Sequence, residues 1–273
     1  MQVFSAQPAP TPYVWQNLDA NVVNSGVELT LNGAVVDKGK VEFNIGFNIA
    51  FNKNLVKNFS GDYNTGEISG QGLSGAYAQR VASGVPLYSF FLRDFAGFDA
   101  SGVSIYTGGD VQKFLDKSPI PKINTGINLA FRYGNFNASA YMYGQFGQYV
   151  YNNTENAMFT IGAINNARNV TTDVLTSGEQ NANAPDVSTR FLHKADFLRL
   201  QNLNVGYDFK MTGKIKTLRI SASGQNLFVI TKYNGLDPEV NTDKNINGVP
   251  SLGIDYTSYP RARTYSLGLN LTF

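Results

Sequence analysis

Val41-Glu42-Phe43-Asn44-Ile45-Gly46-Phe47-Asn48-Ile49-Ala50-Phe51-Asn52 is the stretch that decides the fold. Large apolar side chains (Val41, Phe43, Ile45, Phe47, Ile49, Phe51) alternate with small or polar ones. A period of two sends these sets to opposite faces of a β-strand. The same alternation sets Val27, Leu29, Leu31 and Val35 against Glu28, Thr30, Asn32 and Ala34. It sets Ile123, Thr125, Ile127, Leu129, Phe131 and Tyr133 against Asn124, Gly126, Asn128, Ala130 and Arg132. At the C terminus, Tyr265, Leu267, Leu269, Leu271 and Phe273 oppose Thr264, Ser266, Gly268, Asn270 and Thr272.

Three further segments alternate less regularly. In 136–148, Phe136, Ala138, Ala140 and Met142 share one face, and Asn137, Ser139, Tyr141, Tyr143 and Gln145 the other. In 217–229, Leu218, Ile220, Ala222 and Phe228 oppose Arg219, Ser221, Ser223 and Gln225. In 196–209 the phase slips, because Leu198 and Leu200 differ in parity from Leu203, Val205, Tyr207 and Phe209. A bulge near Gln201–Asn202 would restore one face, as would an apolar band that ends at Leu203.

Short links at Asp37–Gly39, Gly134–Asn135 and Lys210–Lys216 alternate with long segments, 53–122, 149–195 and 230–262. One end of the sheet therefore has tight turns and the other has large loops. Long irregular loops are uncommon in compact domains, but transmembrane β-barrels have short periplasmic turns and long extracellular loops. An 11-residue strand of ~36 Å, tilted by about 40°, crosses roughly 27 Å, which matches the apolar band of an outer membrane. The expected class is all-β, with about seven antiparallel transmembrane β-barrel strands visible.

Composition narrows function. The 273 residues are 42% hydrophobic, 13% aromatic and only 15% charged, with 27 Gly; ordinary domains carry about 25% charged residues. No apolar run reaches the ~20 residues of a membrane helix. The absence of Cys removes thiolate zinc sites and Cys nucleophiles, and the single His193 argues against His-based triads and multi-histidine metal sites. His193, beside Leu192 and Lys194, reads as a solvated loop residue. A net charge of +2 with scattered Lys and Arg leaves no nucleic-acid footprint. No enzyme, cofactor or metal is expected. A soluble sandwich would turn charged residues outward, whereas the polar faces here hold neutral Asn, Ser, Thr, Gly and Gln.

Seven strands cannot close an ordinary bacterial barrel. Met1-Gln2-Val3-Phe4-Ser5-Ala6-Gln7-Pro8 has neither a basic n-region nor an apolar h-region, so the expectation is the C-terminal part of a longer exported protein.

Several motifs carry a more specific resemblance. They are Phe197-Leu198-Arg199-Leu200-Gln201-Asn202-Leu203, Ser223-Gly224-Gln225-Asn226-Leu227-Phe228, Thr231-Lys232-Tyr233-Asn234-Gly235-Leu236-Asp237-Pro238-Glu239-Val240, Tyr259-Pro260, and the ending Thr264–Phe273. Upstream, Asn24–Leu29, Phe47–Asn54, Gly84–Phe90 and Gly144–Gly147 match more loosely. In order and spacing they resemble the SusC/RagA-like family of TonB-dependent outer-membrane transporters. That resemblance implies a barrel of about 22 strands around a plug, with a TonB-contacting segment. It also implies nutrient uptake of glycans or peptides with a SusD-like surface lipoprotein. On this basis residues 1–25 are a lead-in, residues 26–273 are the C-terminal part of the barrel, and the plug and TonB box are absent. Two other readings remain open: an outer-membrane adhesin or receptor without transport, and a soluble carbohydrate-binding β-sandwich.

Candidate residues follow from the faces. Tyr265, Leu267, Leu269, Leu271 and Phe273 look like an insertion signal for the barrel assembly machinery. Tyr133, Phe209, Tyr265 and Phe273 face outer-membrane lipid as an aromatic girdle. Arg132, Tyr141, Tyr143 and Gln145 point to the lumen as substrate-lining residues. Asp237 and Glu239 flank Pro238 in a lid- or ligand-facing loop, where Asp237 also suits a turn cap. Asp243, Asn245, Asn247 and Gly248 open like a calcium loop, but Ile254 stands where the twelfth-position acid belongs, so a polar turn is expected. Tyr88, Phe90, Phe91, Phe95, Phe98 and Tyr106, near Arg93, Asp94 and Asp99, are expected to fold the longest loop into its own small unit.

Overall fold

A computed structural model describes residues 2–4, 10–15, 20–70, 73–242 and 250–273; the calcium-like residues Asp243–Gly248 lie outside them. Alternation becomes a single seven-stranded antiparallel sheet in which every strand pairs with its sequence neighbour. We number its strands β1 (Asn21–Lys38), β2 (Val41–Lys57), β3 (Ile123–Tyr133), β4 (Phe136–Phe146), β5 (Phe197–Lys210), β6 (Thr217–Thr231) and β7 (Thr264–Thr272). β1 begins at Asn21, within the segment read as a lead-in. The sheet is open, with β1 and β7 at its edges.

Register carries the apolar face across every strand. Val36 faces Phe43, which faces Phe131, and the row continues through Ala138, Val205, Ala222 and Leu267. A parallel row runs Leu31, Phe47, Ile127, Met142, Leu200 and Phe228. No second sheet covers this face among the described residues, and Leu31, Leu267 and Leu269 stand exposed. So large an apolar surface needs a nonaqueous neighbour, which removes the soluble sandwich. The reverse face is a field of amides and hydroxyls, with rows such as Asn128–Tyr141–Asn202–Gln225–Thr264.

Bulges keep the faces pure. Met142 pairs with Leu200 and Tyr141 with Asn202, so Gln201 has no partner on β4. The expected phase slip is therefore a bulge at Gln201, and Leu198 and Leu200 rejoin the apolar face. On β6, Asn226 and Leu227 together oppose Gln201, with Asn226 in the left-handed region at φ 52°. Asn tolerates that conformation better than other side chains. A second bulge falls at Val35, so Val36 takes the apolar position that plain alternation gives to Val35. The β1–β2 and β3–β4 turns contain Gly39 (φ 62°) and Gly134 (φ 57°), supplying the positive φ that tight hairpin turns require.

The compact core lies in the loops. Loop 1 (58–122), loop 2 (147–196) and loop 3 (232–263) fold together at the end opposite the tight turns. Ile68, Ala78, Phe90 and Leu92 of loop 1 bury against Tyr151, Val187, Phe191 and Leu192 of loop 2 and Ile254 of loop 3. Tyr149–Asn152 pairs antiparallel with Leu192–Lys194 and parallel with Ile254–Asp255, tying loop 2 to loop 3. Thr65 Oγ1 donates to the Pro250 carbonyl at 2.8 Å, and Gln79 Nε2 to that of Leu252 at 2.6 Å, tying loop 1 to loop 3. The loop 1 aromatics thus build a unit shared by three loops, not one of their own. Arg190 of loop 2 is held by Glu179 at 2.6 Å and lies 5.0 Å from the Phe98 ring of loop 1. Tyr106 of loop 1 donates a short hydrogen bond to Asp186 of loop 2.

Candidate functional site

The polar face meets the loop cap at the loop ends of β4, β5 and β6, and there the motif residues converge. The Gln201 bulge sets the parity of β5 so that Arg199, between apolar-face Leu198 and Leu200, turns to the polar face, where only 1% of its surface is exposed. A guanidinium so buried needs counter-charge. Nη2 donates to Asp237 Oδ1 at 2.6 Å, and Nη1 donates to Asn226 Oδ1. Nε lies 2.9 Å from Glu239 Oε2, as an ion pair without hydrogen-bond alignment. The Asn226 amide donates onward to the Arg261 carbonyl at 2.9 Å. Glu239 also accepts from the Tyr143 hydroxyl at 2.5 Å, and its carboxylate lies 3.3 Å from Arg261 Nη1. Two guanidiniums and two carboxylates thus balance in one cluster.

Two sets of sequence candidates meet here. Tyr143, from the lumen-lining set, touches Glu239, from the loop set, and Tyr141 stacks beside Tyr143 at 6.1 Å. Asp237 and Glu239 give their carboxylates to Arg199 instead of presenting them to solvent, and Asp237 is 5% exposed. Asp237 also caps its turn, accepting from the Glu239 amide at 3.0 Å across Pro238. Gln145 lies on the same face, level with Phe197 of β5. Arg132 shares the face but not the place: it pairs in register with Asn137 at the tight-turn end and lies 3.7 Å from Glu42. Sequence reading passed over Arg199, Asn226 and Arg261 as site residues; Arg199 at a phase slip was the available signal.

Two concavities adjoin this cluster. A shallow trough of about 730 Å³ on the polar face is lined by Asn32, Asn44, Asn128, Tyr141, Asn202 and Asn204. Its floor is kept flat by glycine: a Cβ at Gly46 would come within 2.7 Å of the Asn32 amide oxygen. In the loop cap, a cavity of about 390 Å³ is bounded by Glu155, Phe159, Thr171, Asp173, Asn234–Leu236 and Asp255. Tyr233 donates to Asp255 at 2.7 Å beneath it. Burial pushes the Asp255 carboxyl up from its ordinary value and, with Asp255 beside it, pushes the Tyr233 phenol up too. His193 is not merely solvated, since its Nε2 lies 2.6 Å from Glu155 Oε2 and its ring packs edge-on to Tyr233.

Among the described residues no group of three or more metal-type side chains is gathered, and no helix is long and apolar enough to cross a membrane. A sheet with one face for lipid and one for a wet lumen, topped by co-folded loops, defines part of an outer-membrane β-barrel wall. No family model matches the chain. The TonB-dependent receptor SusC of Bacteroides thetaiotaomicron is 31% identical over 204 residues, covering 70% of this chain and 18% of the receptor. TonB-dependent receptor P3 of Formosa agariphila is 32% identical over 171 residues, covering 57% of this chain and 17% of the receptor. Among solved structures, the RagAB peptide importer in its open-open state superposes over 100% of this chain and 31% of its own, with a TM-score of 0.76 at 21% identity. The RagAB peptide transporter covers 96% of this chain with a TM-score of 0.72 at 22% identity. The chain is a SusC/RagA-like segment of a TonB-dependent receptor barrel, a protein of the bacterial outer membrane. It spans under a fifth of the curated relatives' length.

Proposed function

We propose that residues 26–273, together with the start of β1 at 21–25, form the C-terminal wall strands and extracellular cap of a SusC-like TonB-dependent transporter, with the residues before Asn21 as the lead-in. The whole protein imports glycans or peptides with a SusD-like lipoprotein as partner. The plug and the TonB-contacting segment belong to the part of that protein beyond these residues. One observation carries the reading: a single sheet with a continuous apolar face and a continuous amide-rich face, capped at one end by folded loops. The amide trough suits either substrate class, because Asn and Tyr groups hydrogen-bond sugar hydroxyls and peptide groups alike. Tyr141 and Tyr143, stacked on that face, are its substrate-lining residues, with Gln145 above them.

The test uses the full-length protein in its own outer membrane. Uptake of labelled oligosaccharides and oligopeptides is measured with and without TonB, and with Tyr141→Ala. TonB-dependent uptake of one class, lowered by Tyr141→Ala, is expected. Binding without TonB-dependent uptake would favour the adhesin or receptor reading, and no response to either class would sink transport.

A further inference from the structure

Segment 233–239 of loop 3 is held at both ends. At one end Tyr233 is buried and donates to Asp255 at 2.7 Å, on the floor of the loop cavity. At the other, Asp237 and Glu239 are drawn down onto Arg199 of the barrel wall, at 2.6 and 2.9 Å. Between these ties, Asn234, Gly235 and Leu236 form one side of the cavity, and Leu236 projects with 69% of its surface exposed. The return strand of the loop is tied to the same point, because Asn226 bonds both the Arg199 guanidinium and the carbonyls of Arg261 and Ala262. The motif segments around Arg199, Asn226, Asp237–Glu239 and Tyr259–Arg261 therefore meet at one charge cluster.

We propose that Arg199 is a positioning residue that sets the loop cavity from the lumen side, acting through Asp237 to hold 234–236 as its wall. The physical reason lies in the alternatives open to the loop. Released from Arg199, Asp237 gains water by lifting away, whereas bound Arg199 leaves it no better-compensated position. Glu239 keeps its contacts with Tyr143 and Arg261, but Asp237, the residue next to 234–236, is then untied, so Tyr233 alone holds that wall directly and fixes neither its direction nor the place of Leu236. This inference concerns loop geometry and stands whether or not the protein transports a solute.

The test is a distance measurement on the full-length protein in detergent. These 273 residues contain no Cys, so labels can be placed singly once any Cys elsewhere in the protein is changed to Ser. Nitroxides at Leu236→Cys and Thr171→Cys span the cavity, and a second pair at Thr171→Cys and Ser101→Cys spans loops 1 and 2. Arg199→Gln and, separately, Asp237→Asn are expected to turn a single narrow Leu236–Thr171 distance into a broad distribution. Arg199→Lys, which keeps the charge, is expected to narrow it again, and the Thr171–Ser101 distance is expected to stay narrow throughout. Heat-modifiable gel mobility confirms that each variant retains its barrel; if Arg199→Gln does not assemble, Asp237→Asn carries the test. An unchanged Leu236–Thr171 distance in an assembled variant overturns the proposal. So does broadening of both pairs, which would make Arg199 a support of the whole cap.

Discussion

Leu203 and Asn204 are adjacent in β5 and face different surroundings. Leu203 lies in the apolar row between Ala140 and Gly224, while Asn204 lies in the amide row between Ser139 and Ser223. Leu203→Arg should cost about 2–4 kcal/mol in a bilayer if the residue lies near the midplane, because the guanidinium must enter hydrocarbon or distort it. Asn204→Arg should cost close to nothing, since that face is wet. Reversible urea unfolding from lipid vesicles measures both, and equal costs would overturn the assignment of faces. Tyr106 tests the cap. Burial, then its hydrogen bond to Asp186, pushes its phenol up to about 12 from the ordinary ~10. A raised pKa means the folded state holds the proton more tightly. The contact's stabilisation is therefore complete below about pH 10 and disappears as pH rises through about 12. An ultraviolet phenolate titration should lose one component near pH 12 in Tyr106→Phe, and protease resistance of loops 1 and 2 should fall over that window. At this scale the sequence was readable only in part. Face membership of Arg132, Tyr141, Tyr143 and Gln145 follows from parity alone. The burial of Asp237 and Glu239 does not, because their counter-ion Arg199 lies 38 residues upstream of Asp237.

Among the elements, β5 has the least obvious pattern and the most informative one. Its phase changes at Gln201, which is the extra residue against β4 and faces two residues, Asn226 and Leu227, on β6. Deleting Gln201 would shift 197–200 by one position relative to β4. Leu198 and Leu200 would then turn to the lumen, and Arg199 to lipid. We expect the deletion to block assembly of the heat-modifiable barrel, whereas Gln201→Ala, which keeps the residue count, should leave assembly intact. Normal assembly of both would show that the bulge does not set the faces. The wall strands were legible because each is nine or more residues long and alternates with period two along most of its length, with single slips at Val35 in β1 and Gln201 in β5. The cap was not legible at that resolution. Apart from the hairpin of Asp62–Gly70 with Leu73–Ala82, its pairings involve strands of two to four residues, as in Tyr149–Asn152, Leu192–Lys194 and Ile254–Asp255. Their partners lie far away in sequence: Thr65 meets Pro250 across 185 residues. No local period encodes such a contact, although the aromatic richness of loop 1 did indicate that it folds.

In the whole molecule, the edges of the sheet matter most. β1 and β7 each have one side without a strand beside it among the described residues, and Tyr265, Leu267 and Leu269 of β7 stand exposed together with Phe273 just after it. An unpaired edge can be extended by another β-strand, with alternate side chains providing selectivity. Phe273 allows recognition to be separated from stability. It follows Thr272, the last residue of β7, and is 72% exposed, so its removal breaks no strand pair and empties no core. Deleting Phe273 should therefore leave the urea midpoint of protein already in the membrane nearly unchanged. If Phe273 and the alternating residues before it are the insertion signal, the same deletion should sharply reduce the amount that reaches the heat-modifiable state during assembly in cells. Leu269→Ala, which trims the same row, should have a milder effect in the same direction. Normal assembly of the deletion variant would mean that the terminal residues only face lipid. A lowered urea midpoint with normal assembly would mean that Phe273 contributes through packing in the closed barrel, not through recognition.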